Sequence, residues 1–242
     1  MKLLRRIGVP WWLGIALCVC GVPAAGAQAG EFTVSQNGHA VGTASCQIAQ
    51  GDGGFASNST VKVSMQGLEY ALSKTEELDA AHHVLHVVLS GVVNGTAVNV
   101  VGKPDGANFL LSTSANGRGS TSRLAAHANA VFLPDFDPGA LQTLLTLAAA
   151  QNNRDLWAIL PKQAGSVEAI QLATYADEQG TLDGKPIVVH HFIAKIAGAD
   201  TYLFSGPDDQ LLQAELAQPG FALVRKGFVL TPPKRPPAPA DH

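Results

Sequence analysis

The sequence predicts a mainly β protein, a curved antiparallel sheet or incomplete barrel with one helix packed on it. Three observations carry that expectation. Turn residues recur roughly every eight to twelve positions along most of the chain, with Asn-Gly at Asn37-Gly38, Asn94-Gly95 and Asn116-Gly117. Asn-Gly suits the tight turn that joins two antiparallel strands. Between these turns apolar and polar residues alternate with a period of two, which sends them to opposite faces of a strand. After Asp137-Pro138 alone does the spacing become helical.

Composition narrows the class further. Of 242 residues, 46% are hydrophobic and 14% charged, which suits a chain that buries a core and not one that stays unfolded. The formal charge is -3, and no basic stretch is long enough to track a phosphate backbone, so nucleic acid is not an expected partner.

The chain opens on Lys2, Arg5 and Arg6, then an apolar run from Ile7 to Val22, then small residues ending in Ala25-Gly26-Ala27. This is the layout of a secretory signal peptide, and residues 1–27 are read as one, cleaved near Ala27 or alternatively Ala29. Pro10 and the small residues after Gly21 make the run too short to span a bilayer. No transmembrane helix is expected after processing, and the mature chain is expected in the periplasm or secreted. Cys18 and Cys20 fall in the leader, so Cys46 is left alone and no intramolecular disulfide can form. A buried small hydrophobe is the expected role of that cysteine.

Residues 28–230 then read as one β-rich domain. The first hairpin runs from Glu31 to Gln36 and from His39 to Ala49. In its second strand Ala40, Gly42, Ala44, Cys46 and Ile48 make a small, apolar face. Ser59 to Gln66 alternates Val61, Val63 and Met65 with Thr60, Lys62 and Ser64, as in a sheet wet on one side. Glu69 to Thr75, Val84 to Val93, Ala97 to Val101, Phe109 to Ser114 and Arg118 to His127 continue the meander. Asp137 can accept a bond from the first free amides of a helix and Pro138 suits its first position, so a helix is expected from Pro138 to about Gln151. Leu141, Leu144, Leu145 and Ala148 share one of its faces, which should lie on the sheet. Strand signals resume at Val167 to Tyr175 and continue through Ile187 to Ile196, Thr201 to Phe204, Leu211 to Leu216 and Phe221 to Phe228. Residues 231–242 hold five prolines and no apolar period, and read as a disordered, solvated tail.

Chemistry-bearing patterns are sparse. His82, His83 and His86 cluster, but at about 3.3 Å per residue the outer two would sit roughly 13 Å apart along a strand with His83 on its other face. A metal shared with His190-His191 would require neighbouring strands, so no metal is expected. There is no Gly-x-Ser-x-Gly elbow, His-Glu-x-x-His or phosphate-cradling glycine loop, and no catalytic residue and no cofactor are expected. The acid pairs have structural readings: Ser73 to Glu76 fits a capping box, Asp208-Asp209 a turn, and Asp137 the helix cap. A hydrolase acting through His190 or His191 is the third-ranked alternative.

Small side chains on a sheet's concave face leave volume that the helix fills or a ligand occupies. A ligand cavity, if formed, would be lined by Val61, Val63, Met65, Leu141, Leu145 and Trp157. The leader, the hairpin at Asn37-Gly38, the long meander, the inserted helix from Pro138 to Gln151 and the closing strands through Phe228 together resemble the bacterial periplasmic carriers of the LolA/LolB type. That resemblance implies an incomplete barrel, apolar inside and lidded by helix, and it transfers no functional residue. The expected function is non-catalytic: an exported protein sheltering an apolar ligand, a lipid among the candidates, between sheet and helix. The alternative is a structural or protein-interaction module of the cell envelope, whose partner would be an envelope protein.

Overall fold

A computed structural model describes residues 28–232 except 163, 217 and 219. The readings for residues 1–27 and for the tail beyond Pro232 lie outside the described residues. The architecture is the expected one, a curved, open and almost wholly antiparallel sheet carrying one helix.

The first eight strands are β1 (Gln28–Gln36), β2 (His39–Gly51), β3 (Gly54–Met65), β4 (Leu68–Asp79), β5 (Val84–Val93), β6 (Thr96–Asp105), β7 (Asn108–Ala115) and β8 (Arg118–Ala125). Each pairs with its successor in a plain meander. After β9 (Ala130–Phe132) comes α1 (Pro138–Ala150). The second half holds β10 (Leu156–Leu160), β11 (Ser166–Thr174), β12 (Glu178–Leu182), β13 (Lys185–Ile196), β14 (Ala199–Ser205), β15 (Leu211–Glu215), β16 (Phe221–Arg225) and β17 (Phe228–Leu230).

The two halves join where β1, already paired with β2, also accepts β16 along Phe32 to Gln36. From there the order runs β16, β15, β14, β13, β11, β10, β9. The final pair, β9 with β10, is parallel. The edges β8 and β9 do not pair with each other, which leaves the sheet open.

Two short elements depart from the expected string. Phe221 to Phe228 is not one strand, because Gly227, at φ 80°, turns the chain and splits it into β16 and β17. The segment before Ile187 supplies β12, which pairs with β17 and with the first half of β13. These strands cover a second small core on the outer face, where Val189, Phe204, Leu212 and Phe228 are buried together.

The helix shows the largest departure. Asp137 caps it as expected, its Oδ1 accepting from the Ala140 N–H at 3.0 Å, with Pro138 in the first turn. It does not rest one face on the sheet, however. Thr143, on the side opposite Leu141 and Leu145, is fully buried, as is Leu147. From Pro138 to Leu145 every residue is buried, and only the last turn, with Ala149 and Ala150, is exposed. A helix hidden on all sides over two turns belongs inside a core, and the sheet wraps it, with β2, β3, β9, β10 and β15 all against it. Thr143 tolerates this position because its hydroxyl donates to the Gly139 carbonyl at 3.0 Å. Gln142 does so by donating to the Asp209 carbonyl and accepting from the Leu211 N–H. The small face of β2 has its reason here: Ala44 and Cys46 are buried in the same core as the helix, and short side chains let helix and strand approach.

Candidate functional site: the cleft at the helix N-terminus

Charge is buried where the chain enters α1. Lys74 and Glu76 lie on β4 with the same parity as Tyr70, Leu72 and Leu78, so strand geometry puts them on the apolar, inward face. Both are fully buried and their side chains meet at 3.0 Å. The capping-box reading of Ser73 to Glu76 is therefore corrected, since these residues are mid-strand and Glu76 faces Lys74 inside the core. Lys74 Nζ also reaches Asp137 Oδ2 at 3.3 Å, and Ser59 Oγ on β3 donates to that same oxygen at 2.9 Å. Gly139 allows this close seating: a Cβ there would sit 3.2 Å from Asp137 Oδ1 and 3.3 Å from Ser57 Oγ.

One ammonium facing two carboxylates leaves an excess negative charge in the interior. Burial pulls Lys74 toward its neutral form, but the carboxylates of Asp137 and Glu76 outweigh it and hold the amine above its ordinary value. Burial pushes Glu76 up, Lys74 opposes this incompletely, and Asp137 adds to the rise. Glu76 Oε1 has no protein partner, nor has Ser57 Oγ, and these residues stand directly opposite each other across β3 and β4.

This geometry has a pH signature. The folded state binds the Glu76 proton more tightly than the unfolded chain, so its stabilisation is complete below the ordinary value of 4.5 and is lost as pH rises through the higher folded value. We expect the urea midpoint to decline over that window and Glu76→Gln to remove the decline. Equal pH slopes in the two proteins would mean that Glu76 remains ionised.

Beside the cap opens a cleft of about 220 Å³. Its apolar walls come from Leu133, Phe136, Leu141, Leu160, Ile196 and Leu216. At its mouth Asp135 pairs with Lys162 at 2.9 Å and accepts from Gln218 Nε2 at 2.8 Å. Phe136 holds φ at 59°, an unfavourable conformation for a bulky residue. Its surroundings impose it: the ring packs edge-on against Tyr70 at 5.6 Å and against Phe221 at 5.0 Å, while the Tyr70 hydroxyl donates to the Asp135 carbonyl at 3.1 Å. The cleft wall is thus a strained loop pinned from both sides, and strain of this kind concentrates at binding sites.

The six residues expected at a ligand cavity divide. Leu141 borders the cleft. Val61, Val63 and Leu145 are buried in the core around the helix, with Met65 packed against its margin. Trp157 lies elsewhere, on β10, stacked on His127 with ring centroids 3.6 Å apart. Four of the six therefore pack in the core around α1, and the cleft that Leu141 borders lies at the helix entry. Asp135, Lys162 and Gln218 form a cleft mouth that carries no local sequence signal, since they come from three separate loops.

The histidines do not converge. His82 precedes β5 in a turn, and β5 and β13 are not neighbours, so the two clusters share no site. Adjacent His190 and His191 pair separately with Asp177 and Glu178, each at 2.9 Å. Among the described residues no group of three His, Cys, Asp or Glu side chains could hold a metal ion. Nor, among them, is any helix long and apolar enough to cross a membrane. Cys46 is buried, and burial, aided by Asp137, pushes its thiol up to about 11, which suits an inert packing role. Comparison of the chain with protein-family models, curated proteins and solved structures finds no match.

Proposed function

We propose that this protein is an exported, non-catalytic binding protein that shelters an apolar ligand, a lipid acyl chain being the favoured class, in the cleft beside the helix entry. The observation that carries this reading is the cleft's construction: mainly apolar walls with a few polar groups, Asp135, Lys162 and Gln218 at the mouth and the buried Asp137 and Thr201 within the lining, the usual arrangement of small-molecule sites. Lys162, paired with Asp135 but 62% exposed, can reach a polar head while the walls take the chain. Export rests on the three-part leader at residues 1–27, and the likeness to LolA/LolB-type carriers agrees with an open β wrap around a helix.

The test is native mass spectrometry of protein purified gently from its own envelope, compared with the denatured spectrum. We expect a bound mass of lipid size that disappears on denaturation and that Ala199→Trp, which fills the cleft from β14, abolishes. A clean apo mass in the wild-type protein would sink the reading. The unpaired edge of β8 favours a second one, an envelope-interaction module that adds a partner's strand, and a co-purifying protein mass would select it.

A further inference from the structure

A second cavity, of about 330 Å³, lies away from the cleft, where the turn between β4 and β5 meets the chain leaving β8. Its walls include Leu85, Pro104, Phe109 and Ile159, and two imidazoles, His83 and His127, border it. This size falls in the range of small-molecule sites.

The two rings are held in different ways. Asp79 Oδ1 accepts from the backbone N–H of Ala81 at 2.8 Å and of His83 at 2.9 Å, and its Oδ2 lies 2.9 Å from His83 Nδ1. Burial works against the charge on Asp79, but these backbone and imidazole bonds outweigh it and keep the carboxyl below its ordinary value. A carboxylate only accepts, so His83 Nδ1 carries the hydrogen. In the neutral ring Nε2 is then an acceptor, and its orientation is set by the second bond, as in carboxylate-oriented histidines generally. His127 is a flat wall fixed by stacking on Trp157 at an interplanar angle of 16°, and Trp157 is itself anchored by its Nε1 donating to Asp155 Oδ1 at 3.0 Å.

We propose that this cavity binds a small neutral aromatic molecule bearing one acidic hydrogen, a phenol or a heteroaromatic N–H, which it donates to His83 Nε2. The walls exclude the competing classes. Neither Lys nor Arg borders the cavity, and Asp79 stands behind the imidazole, so an anion meets no counter-charge. An aliphatic alcohol leaves the flat faces of His127 and Phe109 without a partner. A donor-less aromatic leaves the oriented acceptor without the ligand's hydrogen bond and forgoes its net gain.

The experiment compares naphthol with its methyl ether by calorimetry, two ligands of one ring system that differ in the donor. Naphthol should bind about tenfold more tightly, the equivalent of one good hydrogen bond. His83→Phe, which keeps a ring at the position, should erase that preference, and Ala199→Trp in the cleft should leave naphthol affinity unchanged. In the wild-type protein, the His83 Nε2 nitrogen resonance should shift on adding naphthol and stay in place with the ether, a readout that needs no variant. Equal affinities for the two ligands, a preference that survives in folded His83→Phe, or loss of naphthol binding in Ala199→Trp would overturn the proposal.

Discussion

Replacing Lys74 by Met should cost about 3–5 kcal/mol of stability at neutral pH, the usual effect of removing one partner from a buried ion pair. Lys74 is fully buried and is the cation within reach of both Glu76 Oε2 and Asp137 Oδ2. Its loss leaves two carboxylates in a low-dielectric interior with Ser59 as their remaining hydroxyl donor. Two further results separate this cause from a packing defect. Acid should restore much of the loss, because protonating the carboxylates removes the stranded charge. The double variant Lys74→Met/Glu76→Leu should be more stable than Lys74→Met alone, since it removes one of the two stranded carboxylates and leaves Asp137, which still accepts from Ser59 and the Ala140 N–H. Urea denaturation of the wild-type protein and both variants at two pH values measures all of this. A loss under about 1 kcal/mol, the range of exposed ion pairs, would mean that the cluster is hydrated and does not anchor the helix.

How legible these features were differs by cause. Strand and turn positions followed from local chemistry, because Asn37, Asn94 and Asn116 each take positive φ in the turns their Asn-Gly pairs demand. The helix start was equally local, as Asp137 and Pro138 act on amides within one turn. Lys74 and Glu76 were legible in part: they share the parity of Tyr70, Leu72 and Leu78, just as Ser57 and Ser59 share that of Val61 and Val63. A charged pair on the apolar face of a strand has to be paired inside, and that parity is the signal which finds it. The partner Asp137 was not legible, since it arrives from more than sixty positions along the chain. The same limit applies to β9, whose three residues pair in parallel with β10 across the whole helix, and to the cleft mouth, where Asp135, Lys162 and Gln218 meet only once the sheet has curved.

The enclosed helix makes the sharpest difference between local pattern and fold, and Leu147→Ala measures it. An amphipathic helix lying on a sheet would turn Leu147 well away from the face of Leu141, Leu145 and Ala148, and truncating an exposed side chain changes stability by no more than about 0.5 kcal/mol. In the wrapped arrangement Leu147 is fully buried, and its truncation should cost about 2–5 kcal/mol, the transfer loss plus the cavity left behind. Leu144→Ala, buried under either arrangement, is the reference. Equal costs for the two variants by urea denaturation are expected, whereas a large cost for Leu144 and none for Leu147 would place one side of the helix in solvent. That second outcome would also reopen the volume between sheet and helix to a ligand. The size of the Leu147 effect therefore bears on where the proposed apolar ligand can sit: with Leu147 packed against the sheet, that ligand has the cleft at the helix entry, beside Asp135 and Phe136, rather than the interface between helix and sheet.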